Sequence, residues 1–280
     1  MENIADRVKL NNGVTMPKLG FGLFKVPPGQ TEESIAYAIE AGYRSLDTAA
    51  FYENEAETGR AVKKSGIPRS EFFITTKLWN GDHGYDKAMR AFDKSIQLLD
   101  MDYVDLYLIH WPGQNDKRRH ETWRALEKIY ADGRAKAIGV SNFNIPHLDK
   151  LIDVSDTMPA VNQVELHPWY SHRPLREYCA EKDIVVEAWG PILRGRLDQE
   201  PGILPVAEKH GRTPAQVVLR WHWQNGVVAI PKSVHRERIF ENADIFNFAL
   251  DEEDMAAIDA LNRDVRTASD PDVMTMGFTD

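Results

Sequence analysis

Cysteine is almost absent from this sequence, because Cys179 is the only one in 280 residues. A single thiol excludes an intramolecular disulfide and any zinc site built on several cysteines. Long apolar runs are missing as well, since none approaches the roughly 18 residues that a membrane-spanning helix needs. The opening stretch MENIADRVKL has no apolar segment of the kind found in secretory signals. We therefore expect a soluble, cytoplasmic protein that does not associate with membranes.

Basic residues are fewer than acidic ones: the sequence has 34 Lys and Arg and 43 Asp and Glu, which gives a formal net charge of −9. This balance argues against a nucleic-acid partner, because phosphate contacts require a basic face. A local basic pocket for a phosphorylated cofactor stays compatible with it. The sequence also lacks a Gly-x-Ser-x-Gly nucleophile motif, and His167 and His172 are not spaced as a helical metal pair. We expect no metal site.

The chain alternates between apolar segments and amphipathic helices after a short N-terminal β-hairpin at 7–17, where Asn11-Asn12-Gly13 forms the turn. Eight apolar segments predict strands, at 18–22, 43–46, 72–76, 103–109, 135–140, 160–164, 184–189 and 227–230. Most of these are followed by a helix, including one predicted over 121–131. The pattern predicts a (β/α)₈ TIM barrel of the α/β class, with extra C-terminal helices.

We expect one barrel domain over 1–280 with a polar C-terminal tail at 265–280. Chain length alone favours about two domains, although α/β barrels reach this size as one domain. A doubly wound sheet would also alternate strands and helices. It usually carries a glycine-rich first turn, whereas Gly20-Phe21-Gly22 lacks the third glycine of that motif. The barrel is therefore the preferred interpretation.

Reactive polar side chains stand at the ends of three consecutive predicted strands. Asp47, Lys77 and His110 follow the second, third and fourth strands, and Tyr52 lies in the loop after Asp47. In a βα barrel the carboxyl ends of all strands share one mouth, where functional groups gather. Taken singly, each has an ordinary role: a cap, a solvated strand end, a buried histidine or a packed tyrosine. Taken together, the four fit one reaction.

That reaction is protonation of a forming alkoxide. A free tyrosine has a pKa of about 10 and is a poor acid at neutral pH. A lysine ammonium beside the phenol lowers this pKa, a carboxylate holds the lysine, and a histidine orients a carbonyl oxygen. Side chains supply no hydride, but a nicotinamide cofactor does. The four residues therefore predict a carbonyl reductase that uses such a cofactor.

Five segments in the right order resemble the aldo-keto reductase family. They are GYRSLDTAAFYENEAETGRAV at 42–62, MDYVDLYLIHWP at 101–112, IGVSNFN at 138–144, PAVNQVELHP at 159–168 and IPKSVHRERIFENADIFNF at 230–248. Trp189-Gly190-Pro191 is similar to the bacterial 2,5-diketo-D-gluconate reductase-like branch of that family. The resemblance covers the chain essentially end to end.

The resemblance implies an NADPH-dependent enzyme in which Tyr52 is the general acid and Asp47, Lys77 and His110 complete a catalytic tetrad. The residues implied to contact the cofactor are Gly22, Asp47, Ser141, Asn142, Gln163, Trp189, Gly190, Lys232, Ser233, Val234, Arg238, Glu241 and Asn242. Lys232, Ser233 and Arg238 match positions that hold the adenosine 2′-phosphate, so NADPH (NADP⁺) is expected rather than NADH. The residues implied to line the substrate pocket are Phe24, Phe51, Trp79, His110 and Trp111.

The sequence leaves the substrate open among 2,5-diketogluconate, methylglyoxal and other small aldehydes or ketones. The short loop at 113–121 and the short tail disfavour steroid or sugar-aldehyde specificity, and Arg266 is a candidate partner for a substrate carboxylate. A monomer is expected. Two rival functions stay open: a non-catalytic NADPH-binding regulatory or structural barrel, and a phosphate-binding barrel isomerase or aldolase that needs no nicotinamide.

Overall fold

A computed structural model describes residues 2–197 and 200–278, and it begins with the β-hairpin. Strands β1 (Arg7–Lys9) and β2 (Thr15–Pro17) pair antiparallel. Leu10 and Met16 from this hairpin share a buried cluster with barrel residues such as Leu106. The hairpin therefore closes the end of the barrel at which the strands begin.

Eight parallel strands follow in chain order within the described residues. They are β3 (Phe21–Gly22), β4 (Ser45–Asp47), β5 (Phe73–Leu78), β6 (Val104–Ile109), β7 (Ala135–Ser141), β8 (Val161–Glu165), β9 (Val185–Trp189) and β10 (Val228–Ala229). A parallel bridge between Leu19 and Ala229 joins the first strand to the last. The sheet thus curls back on itself, and the predicted (β/α)₈ barrel with an N-terminal hairpin is confirmed.

Helices surround the sheet. They are α1 (Thr31–Glu40), α2 (Glu55–Lys64), α3 (Tyr85–Leu99), α4 (Asp116–Ala131), α5 (Ile145–Ile152), α6 (Arg173–Glu181), α7 (Leu204–His210), α8 (Pro214–Gln224), α9 (Arg236–Ala243) and α10 (Glu252–Asp259). Their apolar faces and the outer faces of the strands form one large buried cluster. Among the described residues, no helix is both long and apolar enough to cross a bilayer.

The helix predicted over 121–131 begins earlier than expected, at Asp116. The Asn115 side chain accepts a hydrogen bond from the Arg118 backbone N–H, which satisfies one of the free donors of the first turn. The predicted start at 121 was therefore wrong because this cap was overlooked. The loop after β6 is correspondingly short and holds Trp111 close to the strand end.

The C-terminal tail crosses the barrel mouth. Thr267 donates hydrogen bonds from its backbone N and Oγ1 to Glu165 Oε1, each at 2.5 Å. Further along, Asn80 Nδ2 donates to the Met276 carbonyl at 2.8 Å, and the Phe278 ring meets the His83 ring edge-on at 5.0 Å. These contacts bring the tail against the carboxyl ends of the strands.

Candidate active site

A cavity of about 770 Å³ opens at the carboxyl ends of the barrel strands. The predicted site residues that line it are Gly22, Phe24, Asp47, Phe51, Tyr52, Trp79, His110, Trp111, Ser141, Asn142, Gln163, Trp189, Gly190, Lys232, Ser233, Val234, Arg238, Glu241 and Asn242. Lys77 is the exception, because its side chain is fully buried behind this lining. The structure therefore brings the whole predicted set to one place.

Lys77 connects the groups that were predicted to handle the proton. Its Nζ donates to Asp47 Oδ1 at 2.6 Å, to the Thr48 carbonyl at 2.9 Å and to Tyr52 Oη at 3.2 Å. Asp47 is the last residue of β4, as expected, whereas Lys77 lies inside β5 and is followed by Leu78. The strand is longer than the predicted 72–76, so Lys77 reaches Asp47 from within the sheet.

Charge in this cluster is set by a balance of burial and pairing. Burial alone would lower the pKa of Lys77, but the neighbouring Asp47 and Tyr52 outweigh it, so the pKa of Lys77 is raised and the ammonium persists. Burial raises the pKa of Tyr52 to about 12, and the Lys77 ammonium only partly opposes this rise. Lys77 lowers the pKa of the phenol as expected, but the net shift of that pKa is upward, because desolvation of the phenolate is the larger effect.

His110 is a neutral hydrogen-bonding group at the cavity wall. Burial, with a smaller contribution from Lys77, holds the pKa of His110 well below its ordinary value. Its ring meets the Tyr52 ring edge-on, with centroids 5.7 Å apart, and the Trp79 ring at 5.3 Å. A neutral imidazole beside the phenol can orient a carbonyl oxygen without competing for the proton.

Aromatic and thioether side chains surround Tyr52 and His110. Phe51 stacks on Trp79 with ring centroids 3.9 Å apart, and Phe24 packs against Tyr52 at 5.0 Å. Trp111 adds a further aromatic wall. The tail contributes lining residues that were not predicted from the sequence, namely Ala268, Ser269, Met274 and Met276. The wall beside the phenol is therefore apolar.

Amide and indole groups elsewhere in the cavity lining form a connected set. Trp189 Nε1 donates to Asn142 Oδ1 at 2.9 Å, and Asn142 Nδ2 donates to the His110 carbonyl at 2.9 Å. Gln163 Nε2 donates both to Asp47 Oδ2 at 2.8 Å and to Glu187 Oε2 at 2.7 Å. These predicted cofactor contacts are thus joined to the proton-handling cluster by the hydrogen bond from Gln163 to Asp47.

A second carboxyl group, Glu187, belongs to this set and was missed from the sequence. It lies on β9, two residues before Trp189, and is fully buried. The signal was present, because Glu187 is the one charged residue in the apolar run Ile184-Val-Val-Glu-Ala-Trp189. Such a carboxyl group inside a strand requires a buried polar partner.

The far end of the cavity is a cradle for an anion. Lys232 and Arg238 line it, and within residues 2–197 and 200–278 neither has a carboxylate partner. Ser233 Oγ accepts a hydrogen bond from the His235 backbone N–H at 3.1 Å, just before helix α9. Cations without counter-ions beside a helix start suit a phosphate group. Lys25 and Arg194, two further cations of the lining, were not predicted.

Close backbone approach shapes the middle of the cavity. A Cβ atom added to Gly22 would lie 2.9 Å from the Ile230 carbonyl oxygen, so only glycine fits there without a shift. Glu241 Oε1 accepts a hydrogen bond from Thr213 Oγ1 at 2.7 Å, which ties α9 to the start of α8. Tyr52 and Lys232 line this same cavity, so that one bound molecule can contact both.

Arg266, the candidate partner for a substrate carboxylate, lies outside the described cavity lining. Its guanidinium stands 4.4 Å from the centre of the Tyr170 ring and donates to Asn144 Oδ1 at 3.3 Å. The side chain therefore helps to seat the tail. No group of three or more His, Cys, Asp or Glu side chains in the described part of the chain is arranged to hold a metal ion.

Comparisons with known proteins give one consistent result. The model of the Aldo/keto reductase family matches residues 18–263. Glyoxal reductase of Bacillus subtilis (strain 168) is 52% identical over 271 residues, which cover 96% of this chain and 98% of that protein.

Solved structures agree over nearly the same length. MGS-M4, an aldo-keto reductase enzyme from a Medee basin deep-sea metagenome library, has a TM-score of 0.94 and 43% identity, covering 96% of this chain and 99% of its own. A mutant of Gox0644 crystallised in complex with NADPH has a TM-score of 0.92 and 44% identity, covering 97% of this chain and 99% of its own.

Proposed function

The chain belongs to the aldo-keto reductase family and is an NADPH-dependent carbonyl reductase, and from this premise we propose that it reduces small neutral carbonyl compounds, with Tyr52 as the general acid. One observation carries the assignment of the acid. Tyr52 Oη lies 3.2 Å from the buried Lys77 ammonium, which Asp47 holds in turn, and the phenol lines the cavity. Glyoxal, the compound that gives the Bacillus subtilis glyoxal reductase its name, is the proposed reference substrate.

Tyr52, Lys77 and His110 each have a separate role in one proton transfer. When bound, NADPH supplies a hydride to the carbonyl carbon. Tyr52 gives its proton to the carbonyl oxygen as the C–O π bond breaks, so that an alcohol results. Lys77 stabilises the phenolate that is left, until solvent returns the proton. His110 orients the oxygen by a hydrogen bond. The high pKa of Tyr52 suits this direction, because the phenol stays protonated at neutral pH, yet an alkoxide is a stronger base than a phenolate.

We propose that the predicted cofactor-contacting residues bind NADPH, because every one of them lines the same cavity. Trp189 offers an aromatic face for the nicotinamide, and Ser141, Asn142 and Gln163 offer polar atoms for its carboxamide. Gly22 and Gly190 leave room for the sugar and diphosphate, Asp47 lies beside the nicotinamide end, and Glu241 and Asn242 stand at the adenine end. Lys232, Ser233 and Arg238, with Val234 between them, form the proposed 2′-phosphate site.

Lys232→Ala is expected to weaken NADPH binding about 10- to 100-fold and to leave NADH binding within about twofold. The reason is the loss of a charge-assisted hydrogen bond to the 2′-phosphate, a group that NADH lacks. Dissociation constants from quenching of tryptophan fluorescence check this. Arg236→Ala is the matched control, because Arg236 lies four residues further along the chain, at the start of α9, but pairs with Glu40 outside the cavity lining. Equal losses for both cofactors would refute the phosphate assignment.

Neutral substrates are favoured by the walls around Tyr52. Phe51, Trp79 and Trp111 offer no charge to a carboxylate, and removing a carboxylate from water into an apolar site is costly. Of the described Lys and Arg side chains that line the cavity, Lys232 and Arg238 belong to the proposed phosphate site. Lys25 is exposed beside the Phe24 ring, and Arg194 is exposed beside the ring of Trp189, the proposed nicotinamide contact. We therefore propose dicarbonyls such as glyoxal over keto acids.

Glyoxal is expected to exceed glyoxylate in kcat/KM by about 10- to 100-fold, since the two differ mainly by the carboxylate that the apolar wall must desolvate. Steady-state rates with NADPH, measured over a panel that includes methylglyoxal and 2,5-diketogluconate, test the proposal. A higher kcat/KM for the anionic members would overturn the substrate assignment and would direct attention to Lys25 and Arg194.

The domain organisation, oligomeric state, cellular location and partners of the protein are proposed as well. We propose that the hairpin, barrel and tail over residues 1–280 fold as one unit, because Leu10 and Met16 share the barrel core. A monomer is proposed because one chain supplies every group of the site. A cytoplasmic location suits an intracellular reductant, and the net charge of −9 argues against a nucleic-acid partner. The rival of an NADPH-binding barrel without catalysis is disfavoured by the complete Lys77–Tyr52–Asp47 cluster.

A further inference from the structure

The reaction described above makes no use of Glu187, although this carboxyl group lies in the interior of the barrel. Its side chain is fully buried on β9. Oε2 accepts a hydrogen bond from Gln163 Nε2 at 2.7 Å, while Oε1 has no hydrogen-bond partner among the described residues. Burying a carboxyl group with one oxygen unpaired costs stability. Its presence therefore calls for a functional reason.

Gln163 supplies that reason, because its amide nitrogen is shared by two carboxyl groups. One N–H donates to Glu187 Oε2 and the other to Asp47 Oδ2 at 2.8 Å. An amide nitrogen has two hydrogens, so both are used. Flipping the amide would turn its carbonyl oxygen toward the Asp47 carboxylate, which repels it, and would remove both N–H donors from Asp47 Oδ2 and Glu187 Oε2. The orientation is therefore fixed, and the carbonyl oxygen is the polar atom that Gln163 can offer to the cavity it lines.

We propose that Glu187 is a positioning residue for carbonyl reduction, which fixes the Gln163 amide so that it holds Asp47 on one side and presents an acceptor to the nicotinamide carboxamide on the other. This inference rests on the proposed nicotinamide position. It also implies that ionisation of Glu187 changes the charge next to that position.

The surroundings of Glu187 define how its charge responds to pH. Burial raises the pKa of Glu187 to about 8, and the charge of Asp47 on β4 adds to the rise, while Gln163 on β8 and the Lys77 ammonium on β5 oppose it. Tyr52 faces the same interior and stays protonated.

The remaining neighbours of Glu187 leave this balance unchanged. On β8, Glu165 is engaged by His167 and Thr267, and on β10 the neighbours Val228 and Ala229 are apolar. Burial and the Asp47 charge therefore favour the neutral form of Glu187 to a higher pH than for an ordinary glutamate, and a rise in pH favours its ionisation. Oxidised nicotinamide carries a positive charge that reduced nicotinamide lacks, so ionisation favours NADP⁺ relative to NADPH.

The test compares NADPH and NADP⁺ binding to the wild type and to Glu187→Gln from about pH 6 to about pH 9.5, followed by tryptophan fluorescence. In the wild type, the ratio of the NADP⁺ to the NADPH dissociation constant should fall roughly three- to tenfold as pH rises. Glu187→Gln keeps an acceptor oxygen for Gln163 but cannot ionise, so its ratio should stay flat. Glu187→Leu removes the acceptor and should weaken NADPH binding about tenfold and lower kcat.

Glu55→Gln is the matched control. Glu55 is also a buried carboxyl group with a pKa raised by burial, but its Oε1 accepts from Thr76 Oγ1 and it lies outside the cavity lining. This variant should keep the wild-type pH dependence. If Glu187→Gln showed the wild-type pH dependence of the ratio of dissociation constants, the inference would be overturned. Wild-type affinities in a folded Glu187→Leu would also overturn it. If Glu187→Leu does not fold, the pH dependence of the isosteric Gln variant is the deciding measurement. A flat ratio in the wild type would overturn this inference alone, whereas no binding of either nucleotide would overturn the proposed function with it.

Discussion

Tyr52→Phe is expected to lower kcat for glyoxal by about three orders of magnitude while changing the NADPH dissociation constant by less than about twofold. The substitution removes the hydroxyl that lies 3.2 Å from Lys77 and keeps the ring that packs against Phe24 and His110. General acid catalysis by one positioned group contributes about 10²- to 10⁴-fold, so the loss should appear in kcat. Steady-state rates and a fluorescence titration with NADPH measure the two quantities separately.

Tyr85→Phe is the control for this variant, because Tyr85 starts helix α3 at the surface, with 38% of its area exposed. It should behave as the wild type in both measurements. Since Lys77 retains Asp47 and the Thr48 carbonyl in Tyr52→Phe, that variant should fold normally. A kcat within about tenfold of the wild type would show that another group donates the proton.

Lys77→Met is expected to lower both stability and turnover. The substitution leaves the Asp47 carboxylate buried, with 2% of its area exposed, and with no cation beside it. Removing one partner of a buried ion pair costs about 3–5 kcal/mol in the free energy of unfolding. The phenolate of Tyr52 also loses its stabilising charge, so kcat should fall at least about 100-fold. Urea unfolding and steady-state kinetics check the two effects.

Two companion variants separate charge from packing in this result. Lys63→Met removes an exposed lysine that pairs with Asp100, and such surface pairs contribute at most about 1 kcal/mol. The double variant Asp47→Asn with Lys77→Met removes the unpaired charge, so it should regain part of the lost stability without regaining activity. If Lys77→Met were as stable as the wild type, the buried ion pair would not be the organising interaction of this site.

The barrel and most of the site could be predicted from the sequence because both depend on local patterns. Apolar runs alternating with amphipathic segments specify parallel strands joined by helices, and parallel strands place their carboxyl ends at one mouth. Asp47 and His110 needed only their positions at the strand ends, and Tyr52 its place in the following loop. The resemblance of five segments to one family then extended this set to the cofactor contacts.

Features that depend on distant parts of the chain were not predictable in the same way. Met274 and Met276 reach the mouth only because the tail folds back onto Asn80 and Glu165, and no local pattern encodes that return. The pKa of Tyr52 depends on how far burial outweighs Lys77, which requires the three-dimensional surroundings. The early start of α4 was instead a local signal, the Asn115 cap, that was overlooked.

The most direct test of the account is whether the wild-type protein consumes NADPH when glyoxal is added, followed by the absorbance of the reduced nicotinamide. The account predicts a loss of absorbance equal to the glyoxal reduced, which Tyr52→Phe slows by about three orders of magnitude. Tight NADPH binding with unchanged absorbance, for glyoxal and for every other neutral carbonyl in the panel, would contradict it.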